Sequence, residues 1–177
     1  MLFRRLRRRP RCFVRWLVCH YSGVVNNADV AHQVRREIVS LHEFFVGWFS
    51  GTLAADDETF AQRFSARMDP SCLLIQPGGV GSMLSDFSAA IRSAHGSNPD
   101  FRITIRRVAV PRDLGSHIVA TYEEWQRNAI FSQPPDNGRI STALLARDQS
   151  APLGLRWQHV HETWLPAEIM TAGPFDF

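Results

Sequence analysis

The chain has 177 residues, 45% of them hydrophobic and including 12 Phe and 5 Trp, enough for one domain with a sizeable core and too apolar for a disordered chain. Its formal charge of +3 is uneven: all seven charges in residues 1–28 are arginines, whereas from Asp29 onward 13 arginines face 17 acidic residues. A body near −4 excludes the basic character of a nucleic-acid-binding domain.

Residues 1–27 form an Arg-rich, acid-free leader set apart from the fold. Its apolar run from Cys12 to Cys19 is broken by Arg15 and too short to span a bilayer, so no stable membrane insertion is expected. No small-residue cleavage motif marks a secretory signal. The readings that stay open are a mitochondrial presequence, a flexible extension, or a start codon placed too far upstream, with a cytoplasmic location expected unless the leader is a presequence. A single serine, Ser22, counts against the first.

From Asp29, Val34, Ile38, Leu41, Phe45, Trp48 and Phe49 recur at helical spacing, and Gly51 ends the stripe. Asp56-Asp57-Glu58 places acids at the start of a shorter helix carrying Phe60 and Phe64. Cys72 to Gln76 predicts a short strand stopped by Pro77-Gly78-Gly79. A third helix, capped by Ser82 or Ser85, carries Phe87, Ile91 and Ala94 and ends at Gly96. Long strands follow. In the first, Phe101, Ile103 and Ile105 alternate with polar residues before the phase shifts to Val108 and Val110, as in a bulged strand. Residues 117–127 and 139–147 are the next two, separated by the turn at Pro134-Pro135-Asp136-Asn137-Gly138. Another turn leads into the last strand, Leu155-Arg156-Trp157-Gln158-His159-Val160-His161-Glu162-Thr163-Trp164. Helices first and an antiparallel meander after them predict an α+β fold, three helices on one face of a curved sheet.

This order, closing in Trp-x-x-Val-His, resembles the NTF2-like superfamily, and within it the uncharacterised SnoaL-like branch near ketosteroid isomerases and polyketide cyclases. The resemblance rests on residues 64–79, 84–96, 120–127 and 156–166 and covers about residues 30–166. The last strand is also similar to that of the calcium/calmodulin-dependent kinase hub domain. The resemblance implies an NTF2-like cone over residues 28–166, followed by a C-terminal tail at 167–177. The sheet would curl round a conical cavity closed by the first helix. It implies further that Val160, Glu162 and Trp164 point inward, with Glu123 and Trp125 beside them. Trp157, His159 and His161 would lie on the convex face, where such proteins pair into homodimers.

On that register Glu123 and Glu162 are the candidate acid–base pair, since burial raises a carboxylate's pKa toward the useful range. The alternative is that Arg127 or Arg139 holds one of them in a structural ion pair. His42, Phe45 and Phe49 join Trp125, Val160 and Trp164 as candidate pocket lining. The related isomerases use Asp and Tyr; here the inward positions offer no aspartate, and Tyr122 falls opposite Glu123. His159 and His161 share a face at i, i+2 but lack a third ligand, so no metal is expected, and no cofactor. Cys72, among Leu73, Leu74 and Ile75, reads as a small buried hydrophobe. Two functions follow: a pocket for a small hydrophobic ligand, with isomerase, dehydratase or cyclase chemistry, or a non-catalytic oligomerisation or accessory domain.

Overall fold

The structure is a computed structural model that describes residues 28–177. The Arg-rich leader lies outside them. The described chain runs α1 (Ala28–Phe49), α2 (Asp57–Arg63), a 3₁₀ turn (Ser65–Arg67), β1 (Met68–Ile75), β2 (Gly81–Met83), α3 (Leu84–Ser93), β3 (Arg102–Asp113), β4 (His117–Arg127), β5 (Asn137–Arg147), β6 (Leu155–Trp164) and α4 (Ala167–Thr171). The six strands form one sheet in the order β2-β1-β6-β5-β4-β3. Every pair is antiparallel except β1–β6, which runs parallel because α3 and the strands after it separate the two in sequence. No helix among the described residues is long and apolar enough to cross a membrane.

The apolar stripe of α1 supplies the centre of the core. Val34, Ile38 and Phe44 are fully buried, and Phe44 stacks against both Trp48 and Phe64 with ring centroids 5.5 and 5.6 Å apart. Phe60 from α2 closes the cluster edge-on, and Ile118, Ala120, Leu145 and Leu155 meet it from the sheet. Helix α1 ends at Gly51, whose φ of +76° suits glycine; a Cβ there would also meet the Gly96 backbone at 3.1 Å. Trp48 Nε1 donates to Ile91 O at 2.8 Å, tying α1 to α3.

Several local expectations are met. Asp56 caps α2, its carboxylate accepting from Thr59 N at 2.7 Å. Strand β3 breaks register between Arg106 and Ala109, with Arg107 at φ 49°, which is the bulge behind the shift of apolar phase. Two differ. Met83 occupies the N-cap of α3 without a side-chain bond, so neither Ser82 nor Ser85 caps it. Residues 81–83 instead form β2, a short strand against Leu73, Leu74 and Ile75 that three residues are too few to announce in sequence.

Candidate functional site

The concave face of the sheet and α1 enclose an open cavity of about 500 Å³. From α1, His42, Phe45 and Phe49 follow at i, i+3 and i+7 and so share a face. On β4 the pleat is set by Ile118 and Ala120, both fully buried, and it carries Tyr122, Glu124 and Gln126 to the same side. Arg139 comes from β5, and β6 contributes Val160, Glu162 and Trp164.

Cross-strand register makes the polar end a compact group. Glu124 sits opposite Arg139, which sits opposite Trp164, while Tyr122, Ser141 and Glu162 form the adjacent row. Arg139 donates through Nη1 to Glu162 Oε2 at 3.0 Å and through Nη2 to Gln126 Oε1 at 2.8 Å and Asn137 Oδ1 at 2.9 Å. Its guanidinium lies 5.0 Å from the centroid of Trp164. Glu124 accepts from Gln126 Nε2 at 2.6 Å and faces His42 Nε2 at 3.1 Å. The other ring nitrogen of His42 lies 2.6 Å from Ile38 O. Both ring nitrogens therefore face acceptors, an arrangement satisfied by an imidazolium.

Two carboxylates, only 4% and 8% exposed, share this end with one guanidinium. Burial opposes the charge of Glu124, but Arg139 and His42 outweigh it and hold the carboxyl down at about 2. Burial also penalises charge on Glu162, and the nearby Glu124 anion adds repulsion that Arg139 does not offset, so its pKa rises to about 7. Burial disfavours the charged form of His42, yet Glu124 beside it raises its pKa overall. The site thus holds one fixed carboxylate and one that exchanges a proton near neutrality, the separation useful in acid–base chemistry. Cys72 lines the same cavity, and desolvation raises its thiol to about 12, so it is no nucleophile.

The structure brings together His42, Phe45, Phe49, Val160, Glu162 and Trp164 as the sequence placed them. It separates three others. Glu123 faces outward, paired with Arg107 at 3.1 Å; the neighbouring Glu124 takes the inward position. Trp125 also faces outward, donating to Glu123 Oε2 at 3.2 Å and packing on Phe175 of the C-terminal tail, whose carbonyl at Phe177 accepts from Arg127. The tail buries Trp125, so a tryptophan on the convex face mimics an inward one in the sequence. Trp157 turns inward, contrary to its expected place beside the histidines. The β5–β6 register shifts at Leu144/Leu145, which pair with His159 and Trp157, so Gln158 is the extra residue of a bulge that reverses the phase before it. Inside, Trp157 Nε1 donates to Glu37 Oε1 at 2.9 Å, and Glu37 also takes Arg67 Nη1 at 2.7 Å in a buried pair behind the cavity. Tyr122, which the sequence reading set opposite the inward face, likewise lines the cavity.

His159 and His161 stay on the convex face, ring centroids 6.4 Å apart. Among the described residues no group of three or more His, Cys, Asp or Glu side chains could hold a metal. The alternative in which Arg139 pairs with a candidate carboxylate is met at Glu162, 3.0 Å away; what sequence reasoning missed is Glu124 and Gln126 as its partners in one network. A signal for the opposite phase to the one the resemblance implied is present in the alternation Ile118-Ala120-Tyr122-Glu124-Gln126, which starts from two aliphatic residues.

Comparison with known structures agrees with this architecture. An NTF-2-like protein of unknown function from Pseudomonas aeruginosa superposes with a TM-score of 0.64 at 25% identity, over 76% of this chain and 99% of that one. The CaMKII hub of S. rosetta gives 0.57 at 16% identity, over 76% and 95%. The superfamily resemblance therefore holds at the level of fold. By sequence, the chain is 30% identical over 133 residues to sucrose-phosphatase 1 of Nicotiana tabacum, which is 73% of this chain and 30% of that protein. Probable sucrose-phosphatase 2 of Arabidopsis thaliana is 22% identical over 142 residues, 79% of this chain and 31% of that protein. The chain spans about a third of the length of the curated relatives it matches. Residues 34–166 match the family model described as sucrose-6-phosphate phosphohydrolase C-terminal, a span that includes α1 from Val34, the whole sheet and every residue of the polar network. Within the NTF2-like fold, the chain belongs to the sucrose-6-phosphate phosphohydrolase C-terminal family.

Proposed function

We propose that the chain binds a small uncharged molecule in the cavity, with Glu124 and Glu162 meeting its hydroxyl or carbonyl groups. The observation that carries this reading is two buried carboxylates converging on one cavity wall in unlike states: Glu124 is held ionised between Arg139 and His42, whereas Glu162, although paired with Arg139 at 3.0 Å, has its pKa raised to about 7. Glu162 can then donate when protonated and accept when ionised. An anionic ligand is disfavoured: Arg139 is already engaged by Glu162, Gln126 and Asn137, and His42 by Glu124. This speaks against the phosphate end of a sugar phosphate, whatever the sucrose-phosphatase relatives handle elsewhere in their length. An isomerase, dehydratase or cyclase reading would use Glu162 as the proton-transfer group and Tyr122 as a hydrogen-bond donor.

Native mass spectrometry and an unbiased metabolite pull-down test the proposal on the full chain. Wild type is expected to retain a neutral metabolite that the double variant Glu124→Gln/Glu162→Gln loses. Retention of nothing, or equal retention by both, defeats it.

A second reading, an accessory or oligomerisation domain, draws support from the family's description as a C-terminal part and from the fold shared with a hub. In that reading the convex face with His159 and His161 pairs two copies into a homodimer. Light scattering after size exclusion decides it: a monomer at micromolar concentration removes this reading.

A further inference from the structure

The cavity continues past its apolar end. A second chamber of about 590 Å³ lies between α3 and the segment 129–132, and nine of its lining residues also line the first. Phe49, Leu74, Phe87, Ile91 and Phe101 form the shared waist, so the two are compartments of one continuous cleft. The inner compartment holds the ionisable groups; the outer one is walled by Ala90, Ala94, Ile130 and Phe131 and contains no ionisable side chain. At its rim Ile130 is 53% exposed and Phe131 83% exposed, two large apolar side chains left in water beside an apolar chamber.

We infer that the outer chamber receives the apolar tail of a neutral amphiphile whose hydroxylated head lies at Glu124 and Glu162. The inference rests on the ligand-binding reading above and extends it to a ligand class. The head is uncharged because the site's two cations, Arg139 and His42, each already face a buried carboxylate, and it bears hydroxyls because carboxyl groups accept from them. The tail is apolar because the waist and outer walls offer it aromatic and aliphatic surface and no charge. A compact hydrophilic ligand would fill only the inner compartment and leave Ile130 and Phe131 without a role.

The test titrates the full chain with a series of alkyl glucosides from methyl to octyl, each below its micelle-forming concentration, with octanoate as the anionic control. Dissociation constants are expected to fall about fourfold per added methylene once the tail passes the waist, the ratio for burying one CH₂. Octanoate should bind at least about tenfold more weakly than octyl glucoside. Ala94→Trp, which fills the outer chamber far from the polar end, should abolish the chain-length gain and leave methyl glucoside binding unchanged. Ser97→Trp, on another part of the same chamber, serves if Ala94→Trp lowers the melting temperature. A flat series with measurable methyl glucoside binding overturns the tail chamber and spares the polar-end reading. A gain that persists in both tryptophan variants overturns the tail's placement. Absence of binding at every length, or octanoate binding as tightly as octyl glucoside, overturns the amphiphile class together with its neutral head.

Discussion

Replacing Glu162 by glutamine should stabilise the protein above neutral pH and leave it nearly unchanged in acid. The carboxyl titrates near 7 in the folded chain against an ordinary 4.5, a raised value that already includes the attraction of Arg139. Between those values the folded state keeps a proton that the unfolded chain has released, so stability falls as pH rises through the window. Above about 7 the loss is complete, and the gap of about 2.5 units corresponds to about 3 kcal/mol. Glutamine never ionises, and its amide oxygen can still accept from Arg139 Nη1. The variant should therefore exceed wild type by less than about 1 kcal/mol at pH 5 and by up to about 3 kcal/mol at pH 8. Urea unfolding of both proteins at the two pH values, at one ionic strength, measures this directly. Equal differences at pH 5 and pH 8 would refute the assignment of Glu162 as the proton-exchanging carboxylate.

The acid limb should show the opposite sign. Glu124, held at about 2, contributes stability that is complete above its ordinary pKa and is lost as pH falls toward 2, so Glu124→Gln should flatten the acid side of the stability curve. Arg67→Met leaves Glu37, fully buried, with only Trp157 as partner and should cost about 3–5 kcal/mol in chemical unfolding. Phe44→Ala removes the ring between Trp48 and Phe64 and should cost about 3–5 kcal/mol by the same measurement. At Gly138 a Cβ would meet the Trp125 ring at 2.7 and 2.8 Å, so Gly138→Ala should destabilise by about 1–3 kcal/mol and speed limited proteolysis of the C-terminal tail.

The helices and most strands were legible because their signals are local and repeated. The stripe on α1 runs through five turns, and the Asp56 cap and the β3 phase shift each announce themselves within a few residues. The network was legible only in part because facing is a matter of parity, and one residue reverses it. In β6 the bulge at Gln158 sends Trp157 inward, while Val160, Glu162 and Trp164, beyond it, keep the expected phase. In β4 the tail residues near Phe175 bury the convex side of Trp125, so burial there no longer reports the cavity. Arg139 enters the site through three partners on three strands or their edges, a convergence that exists only once register is set.

The Trp164 indole, beneath the Arg139 guanidinium and on the strand of Glu162, also gives the site an intrinsic optical reporter. Its emission depends on the local field, which changes when Glu162 gains a proton or a ligand enters. Trp125 lies on the other side of the sheet under the C-terminal residues, whereas Trp157 lines the same cavity, so Trp157→Phe separates the Trp164 signal. Quenching or a wavelength shift that follows pH through neutrality, and that disappears in Glu162→Gln, would let the state of the site be read without a label.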